Sequence, residues 1–126
     1  MRAWIPVAVY AALIIGASSI PSDRMPLPSA LWSYDKLLHA VEYFILGALV
    51  ARAFAIGPPR LSPALAFALA VVAGAGFGGL DELYQSTTAG RFATPWDALA
   101  DAVGASIGAM TVILWRMRKV THGSRS

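Results

Sequence analysis

Two absences narrow the class of protein that this sequence can encode. It contains no cysteine, which excludes a disulfide framework, a thiolate nucleophile and a cysteine metal site. Charged residues are also scarce, at 13% of the 126 residues, whereas 57% are hydrophobic. That is too little charge to cover the surface of a soluble domain of this size. The composition therefore favours a small integral membrane protein with a single domain over residues 1–126.

Four apolar stretches occupy most of the chain, and each is long enough, or nearly so, to cross a bilayer as a helix. Their connections are short, which predicts an all-α, up-down bundle of four transmembrane helices. The helices are expected at about residues 3–20, 37–56, 61–80 and 98–117. The first stretch also has the Arg2 and apolar core of a signal peptide, but its length leads us to expect that it is retained.

The acidic residues are missing from one side of this predicted membrane protein. Seven basic residues and no acid flank the segment ends on that side, which also carries both termini, so we predict that it faces the cytoplasm. The opposite side carries three basic residues and seven acids, a formal charge of −4. The basic residues flank apolar helices, which favours membrane orientation over nucleic-acid binding. The acids are Asp23, Asp35, Glu42, Asp81, Glu82, Asp97 and Asp101, and the bases of the predicted cytoplasmic side are Arg2, Arg52, Arg60, Arg116, Arg118, Lys119 and Arg125.

Ionisable residues continue into the second apolar segment. Asp35, His39 and Glu42 are spaced at i, i+4 and i+7, which puts them on one helical face, and Lys36 and Tyr43 form the neighbouring stripe. An ionisable group inside an apolar helix costs a few kcal/mol or more unless it is paired or hydrated. This face is therefore expected to meet the interior of the bundle or a hydrated cavity.

The third and fourth segments bring further carboxylates to the same side. The third ends in the acidic stretch 81–85, and the fourth places Asp97 and Asp101 on the face that also carries Gly104 and Gly108. So many carboxylates cannot all stay charged without compensating cations. Arg91 in the intervening loop could fork onto Glu82 or Asp97, or bind an anionic group of a ligand.

Local signals fix the start of the fourth helix and its packing face. Thr94 is a typical N-cap, Pro95 suits the first helical position, and Asp97 can accept hydrogen bonds from first-turn N–H groups. The spacing Gly104-x-x-x-Gly108 permits close approach of two helix backbones. We expect this packing to be intramolecular, with homodimerisation as the alternative.

Two blocks of sequence resemble the VanZ-like family of small bacterial membrane proteins. Residues 35–47 are similar to that family's D-K-x-x-H-x-x-x-Y-x-x-L-G stretch, and residues 81–104 are similar to its E-x-x-Q, G-R and D-x-x-x-N-x-x-G motifs. Asp101 departs from the usual Asn and adds a negative charge. The resemblance implies a four-helix membrane protein, and the founding member is associated with low-level resistance to teicoplanin. The signature positions that it implies are Lys36, His39, Tyr43, Glu82, Gln85, Arg91, Asp97 and Gly104.

The function that we expect is binding of a cell-envelope lipid, a lipid-linked wall precursor or a glycopeptide, at the outer face of the bacterial cytoplasmic membrane. One alternative is a small intramembrane hydrolase or transferase with His39, Glu42 or Glu82 as its catalytic group. Another alternative is a scaffold or accessory subunit. The residues expected to bind the ligand are Lys36, His39, Tyr43, Glu82, Gln85, Arg91, Asp97 and Asp101.

No cofactor is expected apart from a divalent cation, which the enzyme alternative could hold on carboxylates and His39. The sequence has no H-E-x-x-H motif, and its second histidine, His122, lies in the basic tail. A hard cation on carboxylates is therefore favoured over tightly bound zinc.

Overall fold

Four α-helices make up the fold, as the sequence predicts. The computed structural model describes residues 2–24, 34–57 and 61–123, and it contains no strand in those ranges. A 3-10 turn over Arg2–Trp4 leads into the first helix, and another, Ser22–Arg24, follows it. The helices are α1 (Ile5–Ser18), α2 (Asp35–Ile56), α3 (Pro63–Gln85) and α4 (Pro95–Gly123).

The helix ends extend further into the polar sequence than hydropathy alone indicates. At the acidic end, α2 begins at Asp35, α3 continues to Gln85, and α4 begins at Pro95. Helix α4 begins at the predicted residues, with Thr94 before Pro95, but the hydrogen bonds differ from those expected. Asp97 Oδ2 accepts from the Thr94 N–H at 3.0 Å and from Thr94 Oγ1 at 2.7 Å, and not from N–H groups of the first turn. The capping interactions let the helix begin before its apolar stretch, so the carboxylates of this end are placed on regular helices.

Three of the helices are long and apolar enough to cross a membrane, namely Asp35–Ile56, Pro63–Gln85 and Pro95–Lys119. The first apolar helix, Arg2–Ser18, is shorter than these three. Large apolar side chains cover the outside of the described bundle, with Val72, Leu83 and Leu13 all more than half exposed. Such a surface suits contact with lipid, because a monomeric soluble protein rarely exposes large apolar patches. The protein is therefore a membrane protein of helical-bundle type.

Helices that are consecutive in the chain run in opposite directions. At the basic end, the rings of Trp4 and Phe54 meet edge-on with centroids 4.8 Å apart. At the other end, Ser18 of α1 contacts Asp81 of α3, and His39 of α2 contacts Asp101 of α4. The described acids of the helices thus converge at one end of the bundle. Arg60 and Arg125, two of the predicted cytoplasmic bases, lie outside the described residues.

The backbones of α2 and α4 approach each other through glycine. A Cβ atom added at Gly104 would meet the backbone of Ala40, and one added at Gly108 would meet the backbone of Phe44. From the other side, a Cβ at Gly47 would meet the backbone of Ala105. The Gly104-x-x-x-Gly108 face therefore packs within the chain, and it brings the polar faces of α2 and α4 into contact.

We predict that Gly108→Ala destabilises the bundle, because the added methyl group would force α2 and α4 apart. Overpacking of this kind costs about 1 to 3 kcal/mol. The free energy of unfolding, measured by titrating the detergent-purified protein with SDS, should fall by that amount.

Gly76→Ala is the matched control. Apart from the backbone of its own helix, no atom of the described residues lies within 4 Å of a Cβ added at Gly76. Ala is also a better helix former than Gly. Its free energy of unfolding should be unchanged or slightly higher. Equal losses in the two variants would contradict the close α2–α4 contact.

Candidate functional site

His39 is the centre of a group of buried ionisable side chains from three helices. Its Nδ1 lies 2.9 Å from Asp101 Oδ1 on α4 and 3.6 Å from Glu82 Oε1 on α3, and its Nε2 lies 3.9 Å from Asp35 Oδ1. The short distance to Asp101 is a hydrogen bond, in which an ionised carboxylate can only accept. His39 is 8% exposed, Glu82 7% and Asp101 0%. We call His39, Glu82 and Asp101 the buried triad.

A second set of contacts lies beside the triad, nearer the surface. Lys36 donates to the carboxylate of Asp97 and, at 3.1 Å, to Asp35 Oδ2. The Asp97 side chain is buried, whereas about half of the Lys36 side chain is exposed. With Lys36 on Oδ1 and Thr94 on Oδ2, both Asp97 oxygens have donors. Asp97 therefore joins α2 to the start of α4, which is a structural role.

Ser18, Asp81 and Gln85 form a buried network that joins α1 to α3. Ser18 Oγ donates to Asp81 Oδ2 at 2.8 Å, and Gln85 Nε2 lies 3.1 Å from the same oxygen and 3.2 Å from Ser18 Oγ. Ser18 was not expected at the site, because a serine at the end of an apolar segment has no distinctive pattern. Its pairing with an acid 63 positions away becomes visible only in the folded chain.

The loop between α3 and α4 is fastened to the end of α1. Arg91 donates from Nη2 to the Ala17 carbonyl at 2.9 Å and from Nε to the Ile20 carbonyl at 3.3 Å. Thr88 Oγ1 donates to the Ser18 carbonyl at 3.2 Å. The Ala17 and Ser18 carbonyls belong to the last turn of α1, where intrahelical donors are lacking, and Ile20 lies just beyond it. Instead of forking onto Glu82 or Asp97, Arg91 thus holds the loop against α1.

Several buried acceptors at this end lack a hydrogen-bond donor. Neither oxygen of Glu82 receives a hydrogen bond from the described residues, and Asp101 Oδ2 receives none. Asp81 Oδ1 and the Tyr43 hydroxyl also lack a hydrogen bond of normal geometry. A buried acceptor without a donor costs on the order of 1–3 kcal/mol, and more when it is charged. The unpaired oxygens of the triad therefore indicate a position where a further group belongs.

Most of the ligand-binding residues expected from the sequence lie together at this end. The fully buried Tyr43 packs against the Phe77 ring at a centroid distance of 6.2 Å. Glu42, a catalytic candidate, lies outside the two groups of side chains whose ligand atoms are close enough to hold one metal ion. Those two groups are Asp35, His39 and Asp97, and His39, Glu82 and Asp101, and in each the ligand atoms lie within 4.8 Å of one another.

This combination of apolar helices and a convergent polar end defines a membrane protein with a candidate site between its helix ends. A family model described as VanZ/LLP1 matches residues 3–116, which is most of the chain. The chain therefore belongs to the VanZ/LLP1 family, as the sequence motifs indicated. No curated protein and no solved structure matches the chain.

Replacement of Arg91 by Ala is predicted to loosen the 86–94 loop, because it removes the two hydrogen bonds from Arg91 to the Ala17 and Ile20 carbonyls and leaves only the weaker Thr88–Ser18 contact among the three side-chain hydrogen bonds described above. Amide hydrogen exchange in residues 86–94 should become faster, while exchange in the middle of α2 and α4 stays unchanged. The measurement is hydrogen–deuterium exchange mass spectrometry of the detergent-purified protein.

Arg24→Ala serves as the control, because Arg24 lies at the same end of the bundle with an exposed side chain. It should leave exchange in the loop as it is in the wild type. If Arg91→Ala also left it unchanged, the loop would not depend on this arginine.

Proposed function

We propose that the protein binds the head group of a cell-envelope lipid, or of a lipid-linked wall precursor, at the polar end of its helical bundle. The observation that carries this proposal is the set of buried acceptors without donors in Glu82 and Asp101. A bound head group can bring the missing partners, either directly or through an ion. Buried polar groups in membrane helices commonly mark ligand or ion sites.

The surroundings of the triad support a lipid as the ligand. Lys36 and Asp35, each about half exposed, lie at the outer edge of the same group of side chains. Exposed apolar residues such as Leu37 and Leu83 occupy the neighbouring helix surfaces. An amphipathic molecule can place its chains on that apolar surface while its head group reaches the polar end.

The donors expected to contact the ligand are engaged within the protein. Lys36 is paired with two carboxylates, Gln85 bonds to Asp81 and Ser18, and Arg91 bonds to the end of α1. Binding would therefore depend first on His39, Glu82 and Asp101. In this proposal Lys36 contributes at the edge of the site, and Arg91 acts by holding the loop in place.

A second candidate function is catalysis, which the His39–Asp101 hydrogen bond favours. A histidine oriented by a buried carboxylate is a common general base. Glu82, 3.6 Å from the same ring nitrogen, would then be the second acid–base group. The enzyme would be a small intramembrane hydrolase or transferase that acts on the bound lipid.

The proposed cellular setting is the bacterial cytoplasmic membrane, with both termini in the cytoplasm and the polar end outside. Positive charge at the opposite helix ends supports this orientation. Tolerance to glycopeptides such as teicoplanin enters this proposal only because the founding member of the family is associated with it. Such tolerance would follow if the bound lipid were a wall precursor.

The orientation can be tested with single cysteines, since the natural chain has none. Asp23→Cys, at an exposed position of the polar end, should react with a membrane-impermeant maleimide in intact cells. Lys119→Cys, exposed near the other end, should react only after lysis. The opposite pattern would reverse the proposed orientation.

Lipid binding is tested by native mass spectrometry of the protein purified in mild detergent. Wild type should retain an envelope lipid, and Glu82→Gln should lose it, because the substitution keeps the shape of the side chain but removes its charge. Mass analysis of the extracted lipid identifies the head group.

Asp23→Asn, which removes an exposed acid at the same end, is the matched control and should retain the lipid as wild type does. Conversion of the added lipid by wild type but not by Glu82→Gln, with the lipid still bound to the variant, would favour the enzyme. A wild-type protein with no retained lipid would contradict the binding proposal and favour a scaffold.

A further inference from the structure

We propose that the buried triad is a divalent-cation site, with His39 Nδ1 and one carboxylate oxygen each from Glu82 and Asp101 as its protein ligands. This inference deepens the proposed function, since it rests on the polar end being a ligand site and names the group at its centre. The cation would bind the acceptor atoms of the triad that lack donors, and it would keep coordination positions open to oxygen atoms of a head group.

The spacing of the three ligand atoms suits one ion. Atoms bound to the same cation at about 2.1 Å lie roughly 3.0 to 3.5 Å apart in tetrahedral or octahedral geometry. In the structure, His39 Nδ1 lies 2.9 Å from Asp101 Oδ1 and 3.6 Å from Glu82 Oε1. The three side chains come from α2, α3 and α4, and all three ligand atoms lie within 4.8 Å of one another.

The unpaired acceptors provide an observation independent of this clustering. Glu82 is more than nine-tenths buried, and both of its oxygens lack a donor among the described residues. Asp101 is completely buried, and its Oδ2 also lacks one. Glu82 Oε1 lies 3.6 Å from His39 Nδ1, but the ring nitrogen is hydrogen-bonded to Asp101, which leaves the Glu82 oxygens without a donor of their own. A divalent cation supplies both the missing charge and the missing contacts, which buried carboxylates need.

The other histidine-containing group is a weaker candidate for the same ion. It consists of Asp35, His39 and Asp97, but Lys36 and Thr94 already occupy the two Asp97 oxygens. A cation there would also lie beside the Lys36 ammonium group and be repelled by it. Glu82 and Asp101 do not pair with Lys36 or Thr94, and at the triad the cation would replace the proton shared between His39 Nδ1 and Asp101 Oδ1, which would be released to water. This assigns the ion to the buried triad.

The ligand set favours a cation that accepts nitrogen and oxygen ligands together. One imidazole and two carboxylates, completed by water or head-group oxygens, suit Mn²⁺, whereas an all-oxygen site would favour Mg²⁺ or Ca²⁺. The absence of cysteine from the chain removes the thiolates that select soft metal ions. Mn²⁺ is also a convenient probe, because its electron spin reports on nearby nitrogen nuclei.

The test uses Mn²⁺ alone, added to the full chain in detergent after treatment with chelator and removal of lipid. Electron paramagnetic resonance of the free ion should show saturable binding of one Mn²⁺ per chain. Electron spin-echo measurements on the bound ion should show coupling to a single imidazole nitrogen. The coupling should persist in His122→Asn, which removes the only other histidine, and vanish in His39→Asn.

Carboxylate variants locate the ion without relying on the histidine. Glu82→Gln and Asp101→Asn should each weaken binding by at least about tenfold, since even partners of metal ligands contribute that much. Asp23→Asn, which lies outside the triad, should bind Mn²⁺ as wild type does. Circular dichroism melting of each variant shows whether it is folded, and the His122→Asn nitrogen signal tests the site in a protein whose triad is intact.

Three results would overturn the cation site. They are no stoichiometric binding by folded wild-type protein, no nitrogen coupling in His122→Asn, and unchanged affinity in both carboxylate variants. Lipid retention is measured separately, on protein purified without chelator. Lipid retained without any Mn²⁺ binding would leave the proposed function standing and remove the cation. Stoichiometric Mn²⁺ binding without lipid retention would leave the cation site standing and contradict the lipid-binding proposal.

Discussion

The close contact between α2 and α4 is the constraint on which the candidate site depends. Gly104 and Gly108 let the backbone of α4 approach that of α2, and this contact brings His39 within hydrogen-bond distance of Asp101. In a bilayer, apolar side chains gain little by leaving lipid for protein, so close van der Waals packing takes the place of the hydrophobic effect between helices. A larger residue at either glycine would therefore act on helix packing and on the polar end together.

The polar end separates into parts with different physical roles. Asp97 has donors on both carboxylate oxygens, from Lys36 and Thr94, and it holds the helix ends together. Glu82 has no donor on either oxygen among the described residues. Asp81 and Asp101 lie between these cases, because each has one oxygen that is hydrogen-bonded and one that is not. The number of donors near each carboxylate, and not its burial, distinguishes a structural connection from an unsatisfied acceptor.

The sequence predicted the number of helices, their alternating directions and the convergence of acids at one end, because each follows from hydropathy and helical periodicity. It also predicted the start of α4 from Thr94, Pro95 and Asp97. It could not predict which acids would find donors, since that depends on contacts between residues distant in the chain. Arg91 shows this limit: its charge suggested a carboxylate or a ligand, but its partners are main-chain carbonyls, which have no sequence signature.

The short first helix has a consequence for the surrounding lipid. The apolar stretch Arg2–Ser18 would span about 25 Å as a helix, whereas the hydrocarbon layer of a bilayer is about 30 Å thick. Because tilting would shorten the span further, a helix that is too short for the bilayer is accommodated when the membrane thins locally. Because Ser18 and Arg91 tie the end of α1 to the polar network, the thinned annulus would lie beside that network. Head groups there would sit deeper than in the bulk membrane, which shortens the distance between a lipid of that leaflet and the side chains of the bundle.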